Sequence, residues 1–135
     1  MSEPYAPQPY DPPDEDGILP AVVYGLYFLG LINGLTIPVG LVIAYANKAG
    51  AGPRMQSHYI FQIRTFWTAI GWWMIGGMLM IWGILLMLIG IGFVMMGVGG
   101  LIFAVGHVWF ALRCGLGVMY LARGEAYPRP RTWLV

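Results

Sequence analysis

Two series of small residues, each with a period of seven, run through an almost uncharged stretch between residues 66 and 121. The first series is Ala69, Gly76, Gly83 and Gly90, and the second is Gly92, Gly99 and Gly106. A seven-residue period keeps one face of a helix aligned with its neighbour in a left-handed pair. Because the two series mirror each other about Ile91, the pattern predicts two helices that fold back on each other as an antiparallel hairpin.

The small residues also predict how closely these two helices approach. Lipid chains are as apolar as leucine, so helices in a membrane associate through close packing, which glycine permits. The mirror symmetry predicts three glycine pairs, Gly76 with Gly106, Gly83 with Gly99, and Gly90 with Gly92. The same register sets Ala69 against Arg113, and it sets Gln62 against Tyr120, a pair that could hydrogen-bond. Glycine is common in membrane helices in general, so chance spacing is the alternative explanation.

The composition places the chain among membrane proteins. Hydrophobic residues make up 59% of the sequence and charged residues 10%, whereas about a quarter of the residues in an average soluble domain are charged. We therefore expect an all-α, multi-pass transmembrane protein whose partners are membrane lipid and other membrane proteins or further copies of itself. The formal net charge of +1 provides no basic surface for a phosphate backbone, which argues against nucleic acid as a partner.

Three long helices are predicted within a transmembrane domain that covers residues 18–122. About 20 apolar residues cross a bilayer core, and the predicted spans are 18–46, 57–89 and 93–121, with a turn at residues 90–92. Residues 1–17 form an acidic, proline-rich tail whose composition predicts disorder. Residues 123–135 form a basic C-terminal tail that contains prolines.

The first apolar segment, residues 18–46, has two interpretations. In the first, Pro38 kinks a single tilted span. In the second, the chain breaks at residues 30–34 into two short helices that form a re-entrant hairpin. Each arm of such a hairpin is too short to cross a bilayer unless other protein buries the broken backbone. We therefore favour one long helix, kinked or broken near Pro38.

The basic residues predict the orientation. In a three-span arrangement every lysine and arginine lies on one side, and the acidic tail and the uncharged turn lie on the other. By the positive-inside rule the basic side is cytoplasmic. The linker 47–57 and the C-terminus are therefore expected on the cytoplasmic side of a bacterial inner (plasma) membrane. The re-entrant interpretation would place the N-terminus in the cytoplasm as well.

Five polar residues are predicted to form an interface cluster at the cytoplasmic end of the hairpin, namely His58, Gln62, Arg64, Arg113 and Tyr120. Ionisable groups in membrane helices are costly and are functional candidates for that reason. Neither arginine has a carboxylate partner within the spans. The two side chains are therefore expected either to reach lipid phosphates individually or to share a site for an anionic headgroup or substrate.

The remaining chemistry-bearing residues favour packing roles. His107 is separated in depth from His58 by about 25 Å in the predicted hairpin, at 1.5 Å per residue, which excludes a haem held by both within one chain. Cys114 is the single cysteine, so no disulfide forms within the chain. The sequence has no nucleophile–base pair, metal-ligand spacing or phosphate-binding loop. We predict a protein that is not an enzyme and that has no cofactor or metal.

Two short segments resemble a known family. The run Gln56 to Ile63, with the aromatic–glutamine pair Phe61-Gln62, is similar to the segment that opens the second helix of the Tic-twenty-like domain of unknown function. Residues 122–128 are similar to the basic-Gly-Glu-x-x-Pro ending of that family. The resemblance covers nearly all of residues 18–132, and it implies a small multi-pass protein of a bacterial inner membrane without an established activity.

The sequence supports two hypotheses about function. The first is a non-enzymatic accessory or scaffold subunit of a larger membrane assembly. The second is a homo-oligomeric channel or transporter component in which Asn33, Thr36 and His107 line a path between protomers. The family resemblance adds a role related to protein translocation, and a membrane enzyme or haem protein ranks last.

Overall fold

The computed structural model describes residues 16–134, and all regular structure in that range is helical, so the all-α prediction is confirmed. Four α-helices follow one another: α1 (Ile18–Asn33), α2 (Thr36–Lys48), α3 (Pro53–Leu85) and α4 (Ile91–Ala122). A 3₁₀ turn, Met87–Ile89, joins α3 to α4. The predicted acidic tail lies outside the described residues as far as residue 15.

The first apolar segment forms two helices, so the prediction of one helix over residues 18–46 is wrong. The break lies at Gly34 and Leu35 rather than at Pro38. Gly34 has a φ of 72°, which residues with a side chain rarely adopt. The Asn33 side chain accepts hydrogen bonds from the backbone N–H groups of Leu35 and Thr36. Pro38 is the third residue of α2, where a helix needs no backbone N–H and tolerates proline.

Helices α1 and α2 pack against each other in opposite directions. A Cβ atom on Gly30 would collide with the Ile37 side chain, and one on Gly40 would lie 2.9 Å from the Tyr27 ring. The two-helix interpretation of this segment is therefore the correct one. Tyr27 and Ile37 are buried, because α3 and α4 cover the inner side of the pair.

Helices α3 and α4 approach each other closely at glycines. A Cβ atom on Gly76 would lie 2.9 Å from Gly99 O, and one on Gly83 would lie 2.9 Å from Gly92 O. Real Cβ atoms do not come so close to a backbone oxygen, so these positions admit only glycine at this helix separation. Gly77, one residue after Gly76, faces open space. The close contact is therefore confined to one face of each helix.

The predicted pairing of these glycines is wrong by one heptad. Gly83 lies against Gly92 instead of Gly99, and Gly76 lies against Gly99 instead of Gly106, which is a shift of seven residues in both cases. The turn explains the shift, because it is formed by residues 86–90 and precedes the predicted centre. Ile91 is the first residue of α4, and Gly90 before it has a φ of 84°.

Two of the described helices, α3 and α4, are long and apolar enough to cross a membrane, judged by length and composition alone. They contain 33 and 32 residues, whereas α1 and α2 contain 16 and 13. The shorter α1–α2 pair therefore lies beside only the N-terminal part of α3 and the C-terminal part of α4. The core lies in this four-helix part and consists mainly of Val23, Tyr24, Tyr27, Ile37, Ala44, Tyr59, Phe61, Ala69, Phe110 and Cys114.

Candidate functional site

Three polar residues of α3 share one face, which points into the four-helix part. His58, Gln62, Thr65 and Ala69 follow at spacings of four, three and four residues, the repeat of one helix face. All four are buried, and so is Arg113 of α4. We refer to His58, Gln62, Thr65 and Arg113 as the buried polar cluster. Because the helix repeat puts these groups on the inner side of α3, neighbouring segments must supply their hydrogen-bond partners.

His58 links α1 to the segment after α4. The Tyr24 hydroxyl lies 3.1 Å from Nδ1, and Glu125 O lies 2.9 Å from Nε2. A backbone carbonyl can only accept, so Nε2 carries the proton and donates; in the neutral imidazole, Nδ1 then accepts the hydrogen bond from Tyr24. This neutral tautomer satisfies both nitrogens of an imidazole that has no solvent exposure.

A glycine of α4 makes room for Tyr24. A Cβ atom on Gly117 would overlap the phenol ring of Tyr24, whereas Gly115, two residues earlier, faces open space. Gly117 therefore sets the distance between α1 and α4. That distance in turn places the Tyr24 hydroxyl within reach of His58.

Gln62 joins α3 to α1. Its Nε2 donates to Pro20 O at 2.9 Å, and its backbone carbonyl accepts a hydrogen bond from the Tyr27 hydroxyl at 3.1 Å. Its Oε1 is buried and has no hydrogen-bond partner among residues 16–134. The predicted contact with Tyr120 is wrong, because the Tyr120 ring packs instead on Tyr127, with ring centroids 5.2 Å apart.

Arg113 is the charged residue of the cluster and is only 1% exposed. Its Nε donates to Thr65 Oγ1 at 2.9 Å, and Nη1 donates to Thr132 O at 3.1 Å and to Leu134 O. The Thr65 hydroxyl donates in turn to Phe61 O at 2.7 Å. Ala69, the predicted neighbour of Arg113, is buried one helical turn away from Thr65. Thr65 occupies the position beside Arg113 because the helix register differs from the predicted one.

Two aromatic rings enclose the Arg113 guanidinium. Its Cζ lies 4.1 Å from the centroid of Phe61 and 4.9 Å from that of Trp109. Stacking on aromatic faces suits the planar, weakly hydrated guanidinium. No carboxylate in the described part of the chain lies against this charge. The charge is therefore held by carbonyl oxygens, a hydroxyl and ring faces.

The residues after α4 fold back onto α3 and α4. Tyr127 N donates to Ser57 Oγ at 2.9 Å, and the Tyr127 ring stacks on Phe61 with centroids 3.7 Å apart. Burial raises the pKa of the Tyr127 phenol above its ordinary value, so the phenol stays protonated at neutral pH. The C-terminal segment, residues 123–134, is thus a packed part of the structure.

Arg64 lies outside the buried polar cluster. It is partly exposed, and its Cζ lies 5.1 Å from the centroid of the Trp133 ring. Arg113 binds the backbone on either side of this tryptophan, at Thr132 and Leu134. The two arginines therefore hold the same stretch of the C-terminal segment, one through a side chain and the other through carbonyls. Of the five predicted cluster residues, the structure brings together His58, Gln62 and Arg113, while Arg64 and Tyr120 border the cluster.

A separate cavity of about 400 Å³ lies where the α1–α2 turn meets α3 and α4. Its walls are formed by Gly30, Leu31, Gly34, Ile37, Pro38, Phe66, Ile70, Trp73, Phe103 and His107. Trp73 Nε1 lies 3.2 Å from His107 Nδ1, and Phe103 O lies 3.0 Å from the same nitrogen. His107 is therefore part of an aromatic wall.

The predicted interface cluster did not include Thr65 or the neighbouring Tyr24, Tyr27 and Gly117, although signals for them existed. Tyr24 and Tyr27 lie three residues apart on one face of α1, and a hydroxyl on an apolar helix needs a partner. Thr65 follows Gln62 by three residues and therefore shares its face. Gly117 follows Gly106 by eleven residues, or about three turns, which continues the glycine face of α4.

Within residues 16–134, no three His, Cys, Asp or Glu side chains lie close enough to hold a metal ion. The buried polar cluster instead connects α1, α3, α4 and the C-terminal segment through hydrogen bonds to backbone carbonyls. No family model matches the chain, no curated protein matches it, and no solved structure matches it. The resemblance to the Tic-twenty-like family stays a prediction.

Proposed function

We propose that the chain is a non-enzymatic integral protein of a bacterial inner membrane that serves as an accessory or scaffold subunit of a larger membrane assembly. In this proposal α3 and α4 cross the bilayer as a glycine-packed hairpin, and α1 and α2 enter it from the cytoplasmic side without crossing. The partners are membrane lipid and one or more membrane proteins.

The observation that carries the proposal is the apolar lateral surface of α3, α4 and their turn. Large apolar side chains point outward along its whole length, among them Met74, Met78, Ile81, Ile84, Leu88, Phe93, Leu101, Val108 and Leu112. Leu88 in the turn is 99% exposed. Water would not be a favourable solvent for so continuous an apolar surface, whereas lipid or another membrane helix would.

The aromatic residues support a membrane boundary near Arg64. Trp67 Nε1 donates to the Tyr45 hydroxyl at 2.9 Å, and Trp109 and Trp133 lie against the two arginines. Tryptophan and tyrosine concentrate at the bilayer–water interface. From Arg64 to the end of α3 at Leu85 is about 32 Å at 1.5 Å per residue, which is close to the thickness of a hydrocarbon core of about 30 Å.

The end of the α1–α2 pair supports its placement within the bilayer. Ile32 and Leu35 are 87% and 80% exposed there, and the Asn33 side chain caps the turn internally. Broken backbone at membrane depth must have its polar groups satisfied by protein. Since α1 begins and α2 ends on the same side, this placement puts residue 16 in the cytoplasm together with the basic segments.

The bonding of the cluster supports a structural role rather than catalysis. His58, Gln62 and Arg113 each donate a hydrogen bond to a backbone carbonyl of another segment. Their donors therefore serve to fix α1 and the C-terminal segment against α3 and α4. A rigid cytoplasmic end beside an exposed apolar surface is compatible with a scaffold subunit.

Affinity isolation of the full chain from bacterial membranes in a mild detergent tests the proposal. We expect the chain to resist extraction by alkaline carbonate and to bring down a reproducible set of membrane proteins. Tryptophan substitutions at the exposed Ile81 on α3 and Leu101 on α4 serve as matched variants. If a partner protein binds one of these two faces, only the substitution on that face should abolish copurification. Recovery of the chain with lipid alone would contradict the scaffold role.

A homo-oligomeric channel or transporter component is the second candidate. Its favourable observation is the exposed position of Asn33 at the end of the α1–α2 pair, since polar groups at membrane depth favour protein neighbours. Oligomers in native mass spectrometry together with solute flux in liposomes would support it over the scaffold. A translocation-related role, suggested by the family resemblance, predicts that the isolated partners include components of a protein-export apparatus.

A further inference from the structure

The cavity at the α1–α2 turn lies at membrane depth if the proposed function holds. His107 in its wall precedes Arg113 by six residues, or about 9 Å along α4. Trp73, which contacts His107 in the same wall, follows Arg64 by nine residues, or about 14 Å along α3. Both distances place the cavity below the arginines and inside the hydrocarbon region, where lipid-soluble molecules are the available ligands.

The size and lining of the cavity fit a small ring-shaped molecule. Its volume of about 400 Å³ falls in the range of about 300 to 1,000 Å³ that is usual for small-molecule sites. Phe66, Trp73 and Phe103 supply aromatic surface, and the aliphatic walls come from residues such as Ile37 and Ile70. Aromatic side chains favour stacked or edge-on contacts with another ring.

His107 gives this apolar cavity one hydrogen-bonding group. Trp73 Nε1 can only donate, so its bond to Nδ1 requires the tautomer with the proton on Nε2. The alternative bond from Nδ1 to Phe103 O leaves Nε2 as an acceptor. No described residue bonds Nε2 in either case, so this nitrogen can donate to a carbonyl or accept from a hydroxyl.

We propose that the cavity binds a lipophilic ring compound that carries a carbonyl or hydroxyl oxygen, such as a quinone, with His107 Nε2 bound to that oxygen. The aromatic walls hold the ring, and the open side of the cavity lets an apolar tail extend into the bilayer. The inference rests on the proposed function only for its membrane depth. It does not depend on which proteins the chain assembles with.

Binding of decylbenzoquinone to the full chain in phosphatidylcholine nanodiscs tests this inference. The probe quenches tryptophan fluorescence, and Trp73 lies in the cavity wall, so we expect a saturable component above the background from membrane partition. Ile70→Phe narrows the cavity, and Ile75→Phe makes the same change at an exposed position on the same helix. We expect the affinity of the saturable binding to fall at least about tenfold in Ile70→Phe and to stay unchanged in Ile75→Phe.

The role of His107 is tested with His107→Phe and His107→Gln. Loss of one hydrogen bond of about 1 kcal/mol should weaken quinone binding about fivefold in His107→Phe, whereas glutamine should retain most of the affinity. Decylbenzene, which lacks the oxygens, should compete weakly and equally in the wild type and both variants, which also shows that the cavity is intact. Equal affinity for the two probes, or an unchanged affinity in His107→Phe, would overturn the assignment of an oxygen-bearing ligand.

Failure of this inference is separable from failure of the proposed function. A chain that resists carbonate extraction but shows only non-saturable quenching, identical in Ile70→Phe, would overturn the ligand site and leave the membrane placement standing. A chain that carbonate removes from the membrane would overturn both.

Discussion

Arg113 donates its Nε hydrogen to the Thr65 hydroxyl, 2.9 Å away, across the contact between α4 and α3. The Thr65 hydroxyl donates in turn to Phe61 O. On its other side, the guanidinium donates to Thr132 O of the C-terminal segment. Arg113 is almost fully buried, and no carboxylate among residues 16–134 lies against it, so its charge depends on every such contact. The pair therefore connects the stability of the helix packing to the position of the C-terminal segment.

We expect Thr65→Val to lower the free energy of unfolding by about 1–3 kcal/mol, because it leaves the buried Arg113 Nε–H without a partner. Thr65→Ser keeps the hydroxyl and should recover most of the loss. Thr68→Val is the matched control, since Thr68 lies on the same helix and is only partly buried. Unfolding by SDS in mixed micelles measures the three variants, and an equal loss in Thr65→Val and Thr68→Val would contradict the role of the hydroxyl.

The hydrogen bond between Tyr24 and His58 should appear as a coupling energy. Tyr24→Phe and His58→Phe each remove one side of it, and a double-mutant cycle should give a coupling of about 0.5–3 kcal/mol, the range for residues in direct contact. Tyr45→Phe combined with His58→Phe is the control, because Tyr45 bonds Trp67 in another part of the molecule. That pair should be additive within about 0.5 kcal/mol. If the effects of the Tyr24 and His58 substitutions were additive, the two side chains would not be hydrogen-bonded in the folded protein.

The sequence allowed the polar face of α3 to be predicted, but not its partners. The spacing of His58 and Gln62 puts both on one face, and this holds in the structure. Their hydrogen-bond partners lie 34 to 67 residues away in the chain, in α1 and the C-terminal segment. Helix periodicity carries no information on such distant contacts. The predicted Gln62–Tyr120 contact is wrong because it depends on the predicted glycine register, which differs by seven residues from the register in the structure.

The break in the first apolar segment was misjudged because two signals compete there. Pro38 is a strong helix breaker within a helix, but it is harmless in the first turn, and this is where the structure puts it. Asn33 and Gly34 are turn formers, and their signal decides the outcome because α3 and α4 bury the inner side of the resulting pair. That burial, seen at Tyr27, depends on tertiary packing.

The glycine register failed because a seven-residue repeat is degenerate. When both helices carry glycine every seven residues, sliding one by a heptad again brings glycine against glycine. The length of the turn selects among these registers, and residues 86–90 form a longer and earlier turn than the sequence predicts. The periodicity therefore identifies the contacting face of each helix but leaves the pairing open.

Adjacent glycines of α3 offer a direct test of this packing. A Cβ atom on Gly76 would lie 2.9 Å from Gly99 O, while Gly77 faces open space. We expect Gly76→Ala to destabilise the protein by about 1–3 kcal/mol through overpacking. Gly77→Ala should be neutral or stabilising by up to about 1 kcal/mol, because alanine favours the helix. Equal effects in the SDS unfolding assay would show that the two helices do not meet at Gly76.

Labelling of single cysteines with a membrane-impermeant maleimide tests the placement of α1 and α2 in the bilayer. In a Cys114→Ala background, Leu88→Cys at the α3–α4 turn should react in intact spheroplasts, because this turn faces outward in the proposed orientation. Asp16→Cys and Gly50→Cys should react only after permeabilisation. Leu35→Cys should stay protected in both conditions, because the proposed placement surrounds the end of the α1–α2 pair with lipid. A single span over residues 18–46 would instead expose residue 16 on the same side as residue 88. Reaction of Asp16→Cys in intact spheroplasts would therefore contradict the two-helix placement, and Gly50→Cys verifies in the same preparation that the membrane is sealed.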